Sequence, residues 1–101
     1  MQNSCRAKIT ALGTYVPPRI LSNKDLETMV ETTDQWILER TGIRERHIAS
    51  PEIATSDMAI EAAKCALAQR GVPATDVNAI IVCTVTPDHF FPSTADRKSV
   101  V

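Results

Sequence analysis

The chain has 101 residues, a formal net charge of −1, 44% hydrophobic residues and 23% charged residues. That balance fits an ordinary soluble globular protein; it excludes a disordered or fibrous chain and does not suit a strongly basic nucleic-acid binder. No apolar run is long enough to span a bilayer, and Met1–Lys8 lacks the apolar stretch of a signal peptide, so a cytoplasmic location is expected.

Taken in chain order, Ala7–Tyr15 reads as a first strand, ended by Pro17 and Pro18, which donate no backbone hydrogen bonds. Ser22 or Asn23 then caps a short helix carrying Leu26, Met29 and Val30 on one face. A second short helix surrounds Trp36. Thr33 suits its N-cap, Asp34 sits in the first turn where a negative charge favours the helix dipole, and Gly42 supplies the left-handed residue that closes it. Ile43–Ser50 reads as a polar connection rich in Arg and His. Thr55 or Ser56 caps the longest helix, which runs to about Arg70 and stops at Gly71, with Pro73 beyond. Its Ala59, Ala62, Ala63 and Ala66 form a small-residue face that allows close packing on a sheet.

After a polar turn at Ala74–Asp76, Ala79–Val85 is a nearly unbroken apolar run, the pattern of a strand covered on both faces. The fold class is α/β. Two apolar strands that each need neighbours imply an incomplete core. The three cysteines, Cys5, Cys65 and Cys83, form no CxxC pair, so neither a metal site nor a disulfide framework is expected. Cys65 and Cys83 read as small core residues, the latter near the loop imidazole of His89.

Trp36 and Arg40 are four apart and project from one helix face. An indole beside a guanidinium offers a flat cationic surface for a purine ring and a phosphate; a core anchor next to a solvated charge is the competing reading. Arg44 and Arg46 suit either an acidic partner or structural ion pairs with Glu39, Glu45 or neighbouring loops.

The wording of the segment Thr32–His47, "TTDQWILERTGIRERH", closely resembles the β-ketoacyl-acyl carrier protein synthase III family of condensing enzymes. The resemblance extends from about Lys8 to Ala95 through "ALGTYVPPR" at Ala11–Arg19, "SNKDLE" at Ser22–Glu27, "SDMAIEAAKCAL" at Ser56–Leu67 and "TPDHFFPSTA" at Thr86–Ala95. It implies an incomplete N-terminal part, residues 1–95, of a thiolase-like fold, layered α/β/α/β/α in the full-length family. It also implies an acyltransferase that joins acyl-CoA, usually acetyl-CoA, to malonyl-acyl carrier protein at the start of type II fatty acid synthesis. Acyl-CoA is a substrate, and no cofactor or metal is implied.

By the same resemblance, Trp36 stacks on the adenine of CoA, Arg40 lies near the ring and phosphates, and Thr32 contacts the nucleotide end. Phe91 matches a position that reaches across a homodimer interface towards the partner's acyl pocket; a local core plug is the alternative. The family's catalytic Cys, His and Asn belong beyond Ala95, and none of Cys5, Cys65, Cys83, His47 or His89 occupies their positions, so the chain as it stands is expected to be inactive. A related thiolase-fold synthase of secondary metabolism is the alternative for the parent. For the chain itself the alternative is a non-catalytic remnant that binds weakly or dimerises.

Asp96-Arg97-Lys98-Ser99-Val100-Val101 departs abruptly from the family pattern. The codons GAT CGG AAG AGC GTC GTG encode it and match a widely used short-read sequencing adapter, whose next triplet is a stop. Residues 96–101 are therefore expected to be a non-native tail; a genuine charged C-terminal tail is the alternative.

Overall fold

Ser22 closes one element and opens the next. In a computed structural model that describes residues 4–89, 94 and 95, it is the last residue of strand β1 (Arg19–Ser22) and the N-cap of helix α1 (Asn23–Glu27). The Ser22 hydroxyl accepts from the Asp25 amide at 3.1 Å, and the Ser22 amide donates to Asp25 Oδ2 at 2.9 Å, a reciprocal capping box. Helix α1 ends sooner than expected. Thr28 turns its hydroxyl onto the Asp25 carbonyl at 2.6 Å, so Met29 and Val30 lie beyond the helix and are exposed.

Helix α2 (Asp34–Thr41) is held at both ends as its sequence requires. The Thr33 hydroxyl accepts from the Trp36 amide at 3.1 Å, and Gly42, at φ 73°, donates its N–H to the Leu38 carbonyl at 2.8 Å. Strand β2 (Glu45–Ile48) follows within the segment expected to be an irregular connection. It pairs antiparallel with β1 in the register Arg19↔Ile48, Ile20↔His47, Leu21↔Arg46 and Ser22↔Glu45. Leu21, Arg46 and Ile48 share the half-buried face. His47 Nδ1 donates to the Pro17 carbonyl at 2.6 Å.

The chain divides into two compact units. Val16–Ala54 holds the elements above, and Met1–Tyr15 with Thr55–Val101 forms the other. The second unit is built on helix α3 (Thr55–Arg70), 16 residues long. Asp88 caps its start, accepting from the Ser56 amide at 2.8 Å and bonding the Ser56 hydroxyl, while the Thr55 hydroxyl donates to the Thr86 carbonyl at 2.6 Å. At the other end Gly71, at φ 76°, and Val72 both return their amides to the Leu67 carbonyl. A single 3-10 turn, Ala74–Asp76, follows.

Gly13 rests directly on the small-residue face of α3. A Cβ at Gly13 would stand 2.1 Å from the Ala62 carbonyl oxygen and 2.5 Å from the Ala66 amide nitrogen. The segment around Gly13 is not the strand expected at Ala7–Tyr15. No partner strand lies beside it among the described residues, and the Leu12 amide is taken by Gln69 Oε1 at 2.8 Å instead.

Ala79–Val85 also departs from expectation. It forms no ladder, and Ile80, Ile81 and Val85 are 51%, 88% and 97% exposed. A run of this kind becomes a strand through neighbours at its edges and cover on its faces, and the described residues provide neither. Cys65 and Cys83, expected in the core, are exposed thiols for the same reason, as is Cys5. Ile37 and Pro17 are the buried aliphatic side chains among the described residues. The incomplete core anticipated from the sequence is therefore observed.

Candidate functional site

The α2 surface separates the two sides of the helix by residue type. Ile37 points inward and is 7% exposed, whereas its neighbour Trp36 is 54% exposed. Trp36 is therefore a surface group and not a core anchor. One turn on, Arg40 brings its guanidinium carbon over the indole, 5.5 Å from the ring centroid, within the range of a cation–π contact. Thr41 fastens the end of the helix, with its hydroxyl donating to the Ile37 carbonyl at 2.8 Å and accepting from the Ile43 amide at 3.1 Å.

Trp36 forms one wall of a surface pocket completed by Glu31, Thr32 and Thr33. Its volume is about 190 Å³, below the roughly 300–1,000 Å³ of pockets that engulf a whole drug-sized ligand. It has room for part of a molecule, such as one flat ring laid against the indole. The structure thus brings Thr32 and Trp36 into one pocket and places Arg40 against Trp36. Glu31 and Thr33 are lining residues that sequence reasoning did not assign to the site; Thr33 was legible only as a cap. Glu31 carried no signal beyond its place next to Thr32.

A polar network joins both ends of α2 to the elements around it. Asn23, 1% exposed, donates from Nδ2 to Asp34 Oδ1 at 2.8 Å and to the Ile43 carbonyl at 2.8 Å, and it accepts at Oδ1 from Arg46 Nη2 at 3.1 Å. Glu27 Oε1 accepts from the Asp34 amide at 2.7 Å. Arg46 therefore has an internal partner, the amide oxygen of Asn23, in place of an ion pair with Glu39 or Glu45. Phe91, the remaining site residue proposed from sequence, lies outside the described residues, as does the segment 96–101.

No family model matches the chain. It is, however, 73% identical over 90 residues to the β-ketoacyl-[acyl-carrier-protein] synthase III of Solibacter usitatus, a match that covers 89% of this chain and 27% of that protein. The chain belongs to the β-ketoacyl-acyl carrier protein synthase III family.

Two solved synthase III structures agree with this assignment. The Aquifex aeolicus enzyme superposes with a TM-score of 0.81 at 45% identity, over 86% of this chain and 28% of that one. The Thermus thermophilus enzyme gives 0.85 at 42% identity, over 93% and 29%. The fold is thus an incomplete α/β portion of the thiolase-like synthase III architecture. The chain spans little more than a quarter of the length of the synthase III proteins it matches.

Proposed function

We propose that the protein to which this sequence belongs is the initiating condensing enzyme of type II fatty acid synthesis, and that Thr32, Trp36 and Arg40 receive the nucleotide end of its acyl-CoA substrate. In the reaction, a cysteine thiolate attacks the acyl-CoA thioester and CoA leaves. A His and an Asn then assist loss of CO2 from malonyl-acyl carrier protein, and the resulting carbanion attacks the acyl-enzyme. The cysteine is released and a β-ketoacyl-acyl carrier protein is formed. The residues that perform these steps are assigned to sequence beyond Ala95, so the share of the present chain is substrate binding. On the same reading the enzyme is cytoplasmic and homodimeric, it needs no cofactor, and Phe91 contributes to the partner's acyl pocket.

The observation that carries the binding assignment is the Arg40 guanidinium 5.5 Å from the centroid of an exposed indole, beside a pocket that Thr32 helps to line. An adenine inserted between guanidinium and indole needs about 7 Å, twice the ~3.4 Å spacing of stacked bases. Adenine therefore either takes the uncovered face of Trp36 or moves Arg40 outward on its flexible stem. Either way the cation remains close to the phosphates, where it is most useful.

Trp36 is the sole tryptophan in the chain, so its fluorescence reports on this site alone. Titration with CoA is expected to quench it saturably, with a dissociation constant on the order of millimolar, since only part of the site is present. Calorimetry should show no CoA binding by Trp36→Ala and binding weakened about tenfold by Arg40→Ala. A Trp36→Ala chain that binds CoA as the parent chain does would remove the indole from the site.

A further inference from the structure

Helix α2 has eight residues, and isolated helices shorter than roughly 12–15 residues are marginal in water. The direction in which it presents Trp36 and Arg40 must therefore be set by contacts outside the helix. Ile37 gives it one apolar anchor. The polar contacts at its two ends meet in one side chain, that of Asn23.

We propose that Asn23 is a positioning residue for the nucleotide platform: its single buried amide ties the start and the exit of α2 to β2 and so fixes where Trp36 and Arg40 stand. The proposal rests on the nucleotide-binding reading for its functional meaning and on hydrogen-bond geometry for its structural one. One Nδ2 proton goes to Asp34, the first residue of α2, and the other to the carbonyl of Ile43, just past the closing Gly42. The Oδ1 lone pair receives Arg46 from β2, and the Asn23 backbone amide donates to the Arg44 carbonyl at 3.2 Å.

The residue type follows from those partners. Asp34 and the Ile43 carbonyl are both acceptors and Arg46 is a donor, so the bridging group must offer two donors and one acceptor in a plane. A carboxamide does so; a carboxylate of the same shape offers acceptors alone. Asn23→Asp would set oxygen against oxygen at both ends of α2 while leaving the volume unchanged. Removing one partner from a buried set costs more than the bond was worth, because the remaining groups stay desolvated. A group needed simply to fill space or end a strand would not require this donor pattern.

The test uses the full chain and two readouts, one without ligand. Arg40 beside the indole concentrates anions and repels cations, so iodide should quench Trp36 more than caesium does, and Arg40→Ala sets the value expected when that contact is lost. Asn23→Asp is expected to lower the iodide-to-caesium quenching ratio about twofold, towards the Arg40→Ala value, at unchanged far-UV helix signal. CoA affinity should fall about tenfold in the folded fraction. Adding Asp34→Asn to Asn23→Asp restores a donor–acceptor pair at that end of the helix, and it should recover part of both readouts.

If Asn23→Asp keeps the parent's quenching ratio and CoA affinity, Asn23 does not position the platform. If Asn23→Asp unfolds and the double variant does not recover helix signal and quenching ratio, the proposal also fails. If the parent chain shows no CoA response while Asn23→Asp still shifts the quenching ratio, the nucleotide reading fails and the positioning role stands.

Discussion

At the scale of single residues, the groups that define the platform were legible because they act locally. The i, i+4 spacing of Trp36 and Arg40, the Thr33 cap and the left-handed Gly42 each involve partners within one turn, and the structure has all three. Asn23 was legible only as a possible cap, since its partners lie 11, 20 and 23 residues away. Thr33→Ala should destabilise α2 by about 1 kcal/mol, the usual worth of such a cap, read as lost helix signal in a urea titration. The capping box at Ser22 adds a pH dependence. The Ser22 amide, then the Ser22 hydroxyl, and more weakly Arg19, hold the Asp25 carboxyl below its ordinary value. A depressed carboxyl contributes stability above its unfolded value and loses that contribution as pH falls through the lower folded value. The start of α1 should therefore stay capped at mildly acidic pH and release only below the usual carboxylate range. The Ser22 amide shift, followed by NMR from pH 6 downward, should titrate together with the Asp25 carboxyl.

At the scale of elements, helices were easier to read than strands. The end of the long helix is written next to it in the Gly71 stop, but its start is not: Thr55 and Ser56, read as cap candidates, lie inside the helix Thr55–Arg70, and the capping carboxylate is that of Asp88, 32 residues away. Strand β2 was hidden. Glu45-Arg46-His47-Ile48 offers one β-branched residue among charged and polar ones, and its identity as a strand comes from pairing with residues about 25 positions earlier. The reverse error occurred at Ala7–Tyr15 and Ala79–Val85, whose composition suits a strand but whose described surroundings supply no ladder. The packing of Gly13 on α3 provides an element-scale test. Gly13→Ala places a methyl against helix backbone, which cannot rotate away, and should cost about 1–3 kcal/mol as overpacking. The loss would be read as a lower melting midpoint of the helix signal. A melt unchanged from the parent would show that the segment does not rest on the helix in solution.

At the scale of the whole molecule, two buried aliphatic side chains among the described residues, Ile37 and Pro17, stand against many exposed ones, and Ile81 and Val85 are almost fully open to water. Water contact at this level is unfavourable by about 25 cal/mol per Å² of apolar surface that could otherwise be buried, so association of the purified chain is expected. Light scattering should rise with concentration and fall sharply for the double variant Ile81→Lys and Val85→Lys. Scattering from a stable monomer at high concentration would contradict this. The family was legible from linked motifs spread across the chain, and the match to synthase III over 89% of its length agrees. The condition of the core was legible as well, because the number of apolar strands could be counted against the partners available to them. What remained illegible was the arrangement of the long-range polar contacts, which depends on geometry rather than on residue spacing.

Ser22 has a mechanical consequence. Because the same residue ends the strand and caps the helix, there is no slack between them, and torsion in the two-stranded sheet passes into α1 without a joint to absorb it. One extra residue inserted after Ser22 would turn α1 by about 100° relative to β1, the angular step of an α-helix. The turn at this point therefore has its length set to a single residue, and variation in chain length should be tolerated at the exposed Thr28–Glu31 bend far better than at Ser22.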